Sequence, residues 1–438
     1  MRTRLAALHA LARSRVQPAT VVVPDAEGAL QAAERISDQA ATVLARHALA
    51  EASRNRGDHV SSLGHYRALR AISGPAYIAQ EIQGLQHLDR FDDADVMLHQ
   101  GCRDMGLDRG IVFISLIYSQ IWQDYHLGHL DEAEAGARTL LDLALERGSH
   151  SCGIEAASLL SLVALQKGDI GAARQRLTEG FGPAGPDDER RVPSLLLIRG
   201  WITAAEGDPR QAMDLLRDLV FDGRKDHDPW PWKPGWLAML AHLGMTAGDS
   251  GFTDEVVALA ELGAQRNPDV PSLAGTALHL RGLVSRDIEL LREAACVLKA
   301  SPRPLVRAGA LQDLGCELVA RDFRRDGGQH LDAAWQVYHD TGAFGPMAEL
   351  QDRMRRARFR RSQWHSAQRR PTGGWEALTP SEVKVAELIV AGYTNKAAGE
   401  ELGISANTVG THLRAVFRKL GVRSRVLLCN LIHQIDAG

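Results

Sequence analysis

From about residue 30 to residue 360 the apolar positions recur at helical spacing, and strand-like alternation is almost absent. The pattern breaks at Gly57-Asp58, Arg90-Phe91-Asp92, Gly128-His129, Gly168-Asp169, Gly207-Asp208, Gly248-Asp249, Arg286-Asp287 and Gly327-Gly328, and from the second break onward the steps are close to 40 residues. At such a break glycine supplies the left-handed backbone that ends one helix, and aspartate caps the next. Alanines follow most breaks at a near-fixed offset (Ala94, Ala133, Ala173, Ala212, Ala294 and Ala333), where a small side chain lets the second helix of a hairpin approach the first. A period of this size predicts an all-α solenoid of about eight helix pairs, none able to bury its apolar face alone. Such an array is expected to present a long concave surface for a peptide, a protein or a small ligand.

The pattern changes near residue 361. The run Arg353 to Arg361 ends the last repeat helix, residues 362–374 form a polar linker holding Pro371, Gly373 and Gly374, and a new domain occupies 375–438. Residues 1–30 form an N-terminal segment that is part helical. Its start, Met1-Arg2-Thr3-Arg4, is basic like the beginning of a secretory signal, but the apolar stretch after it is short, contains His9 and is closed by Arg13 and Arg15. An amphipathic helix is expected there.

The last domain is punctuated by caps. In Thr379-Pro380-Ser381-Glu382, threonine is the N-cap, proline takes the first helical position and glutamate closes the capping box. Val385, Ala386, Leu388 and Ile389 give this helix its buried stripe, and Gly392 ends it. A second helix starts at the Thr394 cap and stops at Gly403, and Ser405 caps a third after a short turn, so a helix-turn-helix is expected over about 394–413. In the third helix Val409, Leu413, Val416, Phe417 and Leu420 fall on one face, while Asn407, Gly410, Thr411, Arg414 and Arg418 fall on the other. A small, polar, arginine-bearing face suits the DNA major groove, with Thr408, His412 and Lys419 flanking it toward phosphates. Thr394, Asn395 and Lys396 open the second helix and Val409 lies within the same segment, so all are included among the candidate contact residues, Lys396 as a phosphate ligand.

Charge agrees with this division. Residues 353–438 carry 15 Lys+Arg against 6 Asp+Glu, whereas the rest of the chain carries 36 against 48. A basic end on an acidic body points to a polyanion met only by the end. The five cysteines, Cys102, Cys152, Cys296, Cys316 and Cys429, are scattered, with no Cys-x-x-Cys pair, so neither a zinc site nor a disulfide framework is suggested. No apolar run reaches the roughly 18 residues of a membrane span. Nucleophile-elbow, zincin, Gly-x-Gly-x-x-Gly and P-loop patterns are absent, so no enzymatic role, cofactor or metal is expected.

The stretches Leu378-Thr379-Pro380-Ser381-Glu382, Gly392-Tyr393-Thr394-Asn395-Lys396, Ile404 to Leu413 and Phe417 to Val422 together resemble the LuxR-type (GerE-like) DNA-binding domain over essentially all of 375–438. The resemblance implies a four-helix domain with the third helix reading DNA. It also implies a fourth helix, Ser424 to about Ile435, that mediates dimerisation through Leu427, Leu428, Leu431 and Ile435. Gly410 departs from the family, which often has a basic residue there, and Ala398-Gly399 stands where Ile-Ala is common. The body resembles, without motif residues, the tetratricopeptide-like repeat part of the large MalT-like LuxR regulators, but their P-loop ATPase is lacking.

One segment departs from the repeat pattern: Asp228 to Trp236 packs Trp230, Trp232 and Trp236 among three prolines. Its plain reading is a long connection packed over the groove, and its functional reading is an aromatic wall contacting an effector. Taken together, the residues predict a cytoplasmic transcriptional activator that binds double-stranded DNA as a homodimer on an inverted repeat. RNA polymerase is an expected partner, and the repeats would receive a peptide, protein or small-molecule signal. The rival readings are an interaction scaffold with a vestigial helix-turn-helix and a small-molecule-responsive repressor.

Overall fold

The computed structural model describes residues 1–14, 17–105, 111–179, 193–222, 233–357, 359, 375–402, 406–422, 427–428 and 431. Two compact units divide the chain, residues 1–359 and 360–438. In the first, α1 (Arg2–Arg13) and α2 (Ala19–Arg35) pack on α3 (Gln39–Asn55), so residues 1–30 belong to the helical array. Then follow α4 (His59–Ser73), α5 (Ile78–His87), α6 (Phe91–Met105), α7 (Ile111–His126), α8 (Leu130–Glu146), α9 (His150–Gln166) and α10 (Ile170–Glu179). The array continues through α11 (Pro193–Ala205), α12 (Pro209–Asp222), α13 (Pro234–Ala247), α14 (Ser250–Arg266), α15 (Pro271–Ser285), α16 (Ile288–Val297), α17 (Pro304–Ala320), α18 (Arg324–Thr341) and α19 (Phe344–Arg356). Among the described residues no strand occurs.

The hairpins share one turn. The left-handed residues Gly57, Asp89, Gly128, Gly168, Gly207, Gly248, Arg286 and Asp322 each end the first helix of a pair. The N–H of the following residue closes back onto the carbonyl five positions before it, at 2.8–3.2 Å in all eight. Where that following residue is Asp58, Asp169, Asp208, Asp249 or Asp287, its carboxylate also accepts from N–H groups at the start of the next helix. One aspartate therefore terminates one helix with its backbone and begins the next with its side chain. Five residues after each left-handed position stand Ser62, Ala94, Ala133, Ala173, Ala212, Thr253, Leu291 and Gly327, mostly small and all buried.

Two turn expectations need correction. The second turn is centred on Asp89, one residue before the Arg90-Phe91-Asp92 signal, because aspartate tolerates left-handed backbone better than most residues. The last turn is Arg321-Asp322-Phe323, and Gly327 and Gly328 lie inside α18. These glycines serve close packing: a Cβ on Gly327 would sit 2.8 Å from the Gly315 carbonyl oxygen, and one on Gly328 would sit 2.9 Å from Phe359. With the turn displaced, Ala334 is buried in α18 and Ala333 is exposed.

The concave surface expected of an open array is altered by closure. The turns of the first hairpins dock onto the connections of the second half. Asn267, at the end of α14, donates to the Gly57 carbonyl at 2.6 Å and accepts from the His59 N–H at 3.2 Å, while Arg266 donates to the Arg56 carbonyl. Asp89 accepts from the N–H and hydroxyl of Ser272 at 2.9 Å and from Arg303 Nε at 2.7 Å, and Arg303 also donates to the Gln86 carbonyl at 2.6 Å. Gly128 faces Pro304 and Thr341, and Gly168 faces Gly345, with backbones so close that a Cβ on Gly345 would sit 2.5 Å from the Leu165 carbonyl oxygen. The repeats thus form a superhelix locked to itself along a polar seam.

Inside lies an aromatic and imidazole core. Trp236 is buried at 4% exposure, with its ring centroid 5.4 Å from that of Trp201 and 6.4 Å from that of Trp122. The Lys233 ammonium rests 4.1 and 4.3 Å from the centroids of Trp122 and Trp236, a cation–π arrangement. Trp236 is therefore core and not an accessible wall, while Trp230 and Trp232 lie outside the described residues. In the second half, fully buried Asp313 accepts from His242 Nε2 at 2.8 Å, His279 Nε2 at 2.9 Å and Arg353 Nη1 at 2.8 Å, fixing α13, α15 and α19 to α17. These partners hold the Asp313 carboxyl well below its usual range against the opposing effect of burial.

Two consequences are measurable. Asp89→Ala strands the buried Arg303 cation and unties the seam, and should lower stability by about 3–5 kcal/mol in urea denaturation. A loss below about 1 kcal/mol would show that the ion pair does not hold the halves together. Burial pushes the His59 imidazole down to about 3, whereas the unfolded chain titrates near 6.5. The unfolded state then binds the extra proton first, so stability falls as pH drops from about 6.5 toward 3. His59→Phe should flatten that limb of the pH–stability curve, and the contribution of Asp313 should be lost only at pH below its normal range.

Candidate nucleic-acid interface

The second unit holds α20 (Pro380–Val390), α21 (Asn395–Leu402) and α22 (Ala406–Leu420), preceded by a turn of 3-10 helix at Trp375–Ala377. The capping box forms: Thr379 Oγ1 accepts from the Glu382 N–H at 3.2 Å, and Glu382 Oε2 accepts from the Thr379 N–H at 2.6 Å. Gly392 takes left-handed backbone, letting the Tyr393 N–H return to the Leu388 carbonyl at 3.0 Å, and Thr394 caps α21 by accepting from the Ala397 N–H at 3.2 Å. Leu378, Val385, Ala386, Ile389, Ala398, Val409, Leu413, Val416 and Leu428 form the core. Ala398 and Gly399 are both buried, so the small pair at that point in α21 lies inward.

α22 divides by face. Val409, Leu413 and Val416 are buried, whereas Arg414 and Arg418 are exposed and Thr408, Gly410, Thr411 and His412 are half-buried. Arg414 Nη2 donates to Thr411 Oγ1 at 3.2 Å, so the guanidinium is steadied by the residue one turn earlier on its own face. Thr394 and Lys396 are exposed and Asn395 is half-buried at the start of α21. A Cβ on Gly410 would touch Asn395 Nδ2 at 3.4 Å, an ordinary contact, so space alone does not impose glycine there. The side chain of Asn407 lies outside the described residues.

Three candidate residues stand elsewhere than expected. Val409 is completely buried in the core, where its side chain faces away from any ligand of the opposite face. Leu428 is also completely buried, so it closes the domain core and is not free for a dimer face; Leu427 is exposed, Leu431 is half-buried and Ile435 lies outside the described residues. Lys419 Nζ lies 2.9 Å from both carboxylate oxygens of Glu382, so its charge is already neutralised inside the domain. Glu382 thus performs two tasks: it caps α20 and ties the end of α22 to the start of α20. A capping box is visible in sequence, but no spacing announces a partner 37 residues away.

Lys419→Ala should therefore lower the thermal stability of this domain while leaving the salt dependence of DNA affinity unchanged. A salt slope shallower by about one unit would instead return Lys419 to the phosphate contacts.

Residues 376–432 match the family described as bacterial regulatory proteins, luxR family. A Mycobacterium tuberculosis protein, Rv0890c, and its counterpart Mb0914c in Mycobacterium bovis, both named as candidate HTH-type transcriptional regulators, are 27% identical to this chain over 308 residues, 68% of this chain and 32% of theirs. The chain thus matches about a third of the length of these relatives. The HTH-type transcriptional activator RamA of Corynebacterium glutamicum is 42% identical over 60 residues, 14% of this chain and 21% of RamA. Two independent lines therefore meet on the same segment: the capped, two-faced helices of 375–422 and the family match. Residues 376–432 thus form a LuxR-family helix-turn-helix domain.

Proposed function

We propose that the chain is a sequence-specific transcription factor, an activator that binds an inverted repeat in double-stranded DNA as a homodimer and acts on RNA polymerase. The observation that carries this reading is the division of α22. Its apolar stripe is consumed by the domain core, leaving Arg414, Arg418 and Thr411 as a polar ridge of the kind that enters a major groove. Lys396, exposed at the start of α21, meets a phosphate. His412 and Thr408 flank the ridge toward the backbone. Leu427 and Leu431 supply the accessible part of a dimer face.

The activator assignment draws on the printed role of RamA, which is similar only over this domain. A regulator acting on chromosomal DNA would act in the cytoplasm, and we take that as its location; among the described residues no helix is long and apolar enough to cross a membrane. The repeat unit takes the role of signal input.

Randomised-site selection tests the groove assignment. Arg414→Ala should relax preference at one base position per half-site, a loss of about 1–3 kcal/mol of discrimination. Lys396→Ala should weaken all sequences alike and make the log–log salt slope shallower by about one unit. Identical base preferences for Arg414→Ala and the parent would overturn the groove-facing role of α22.

A further inference from the structure

At the end of the last hairpin of the repeat unit the chain folds back on itself and leaves a cleft of about 270 Å³, open on one side. After α19 stops at Arg356, the Phe359 N–H returns to the Met354 carbonyl at 3.0 Å, and the Phe359 ring lies against α18 where Gly328 has no side chain to meet it. Phe359 thereby makes one wall, and Cys316 and Val319 of α17, Leu331 of α18 and Met354 of α19 make the floor. Arg353 and Arg356, one turn apart on α19, also line it. We propose that this cleft binds a small monocarboxylic acid with an apolar tail, the tail on the floor and the carboxylate between Arg353 and Arg356.

The charge of the cleft fits an anion. Arg353 donates Nη1 to buried Asp313 at 2.8 Å, which fixes the guanidinium while engaging one prong of a five-donor fork. Asp313 is shared: it also accepts from His242 and His279, and its negative charge raises the His242 imidazole above its ordinary range. With His242 protonated, the two cations around Asp313 outnumber its single charge, and the other carboxylate near Arg353 is exposed Glu349. Arg356 is exposed and forms no ion pair among the described residues, whereas its neighbour Arg355 is paired with Asp352. Two guanidinium groups at this spacing can share one carboxylate through charge-assisted hydrogen bonds.

The floor selects for a tail. Val319, Leu331 and Met354 are buried among their neighbours yet border open space. Burial pushes the Cys316 thiol up to about 11, so it stays neutral and presents a soft, weakly polar surface instead of a nucleophile. An apolar chain gains by covering such a floor, and a hydrated inorganic anion would leave it wet. The volume equals that of about nine waters at roughly 30 Å³ each, which accommodates a chain of about eight carbons.

The assignment gives a ligand class to the input role proposed for the repeats and rests on that reading for its purpose. Binding is measured on the full chain without DNA, so its failure and a failure of DNA binding are seen separately. Calorimetric titration with octanoate should saturate, and hexanoate, two methylenes shorter, should bind about tenfold more weakly. Octan-1-ol and inorganic phosphate should each bind at least fivefold more weakly than octanoate. Bound octanoate should slow alkylation of Cys316 by N-ethylmaleimide and leave exposed Cys296 unaffected, read by mass spectrometry. Arg356→Gln should weaken octanoate by about fivefold or more while leaving octan-1-ol unchanged. Ala357→Trp, at an exposed position on the cleft, should fill it and abolish octanoate binding. Both substitutions lie on the surface, and an unaltered circular dichroism spectrum should show that the fold is kept. Octan-1-ol bound as tightly as octanoate, no heat at about 10 mM octanoate, octanoate affinity untouched in both variants, or equal protection of Cys296 would overturn the proposal.

Discussion

The carboxylate of Asp89 is the constraint on which the repeat unit turns. It sits at a hairpin turn in left-handed backbone, costly for a non-glycine residue, and gathers the N–H and hydroxyl of Ser272 and the guanidinium of Arg303. Both members of the ion pair are about 95% buried, so neither charge has water as an alternative partner. Helix pairs stacked only on their neighbours form an open array of local contacts. Asp89, together with Asn267, converts that array into a closed body with an interior. The imidazoles and indoles of that interior owe their dry surroundings to this closure.

Much of the fold was legible because the hairpin turn is a local device. Glycine followed by aspartate carries its own reason, left-handed backbone and then a cap, and it marked four of the eight turns without error. The turn signals at the second and last hairpins were misplaced where a residue other than glycine took the left-handed conformation, at Asp89 and Asp322. The Gly327-Gly328 pair misled because glycine has two uses, and here it serves contact with Gly315 and Phe359 instead of turning. The seam was not legible at all. Its residues lie more than 180 positions apart, and nothing in Asp89 or Asn267 distinguishes them locally from ordinary turn and cap residues.

In the DNA-binding domain the caps and the two-faced helix were legible for the same reason. What periodicity could not provide was the difference between an exposed flank and a tethered one. Lys419 occupies a helical position consistent with phosphate contact, yet Glu382 claims it. Leu428 lies on a helix whose apolar residues suggested a partner, yet the domain's own core absorbs it. In both cases a long-range neighbour decided the role.

Closure of the superhelix also changes how the chain must reach its native state. Hairpins joined by tight turns assemble from neighbours in sequence and form quickly. The seam joins residues 183 to 217 positions apart and bears the entropy of closing a very long loop before any of its hydrogen bonds are gained. Folding is then expected in two stages, rapid growth of a helical array and a slower docking of its halves. During the interval the histidines and tryptophans of the interior face water, and the array is exposed to pairing with a second chain through the same surfaces.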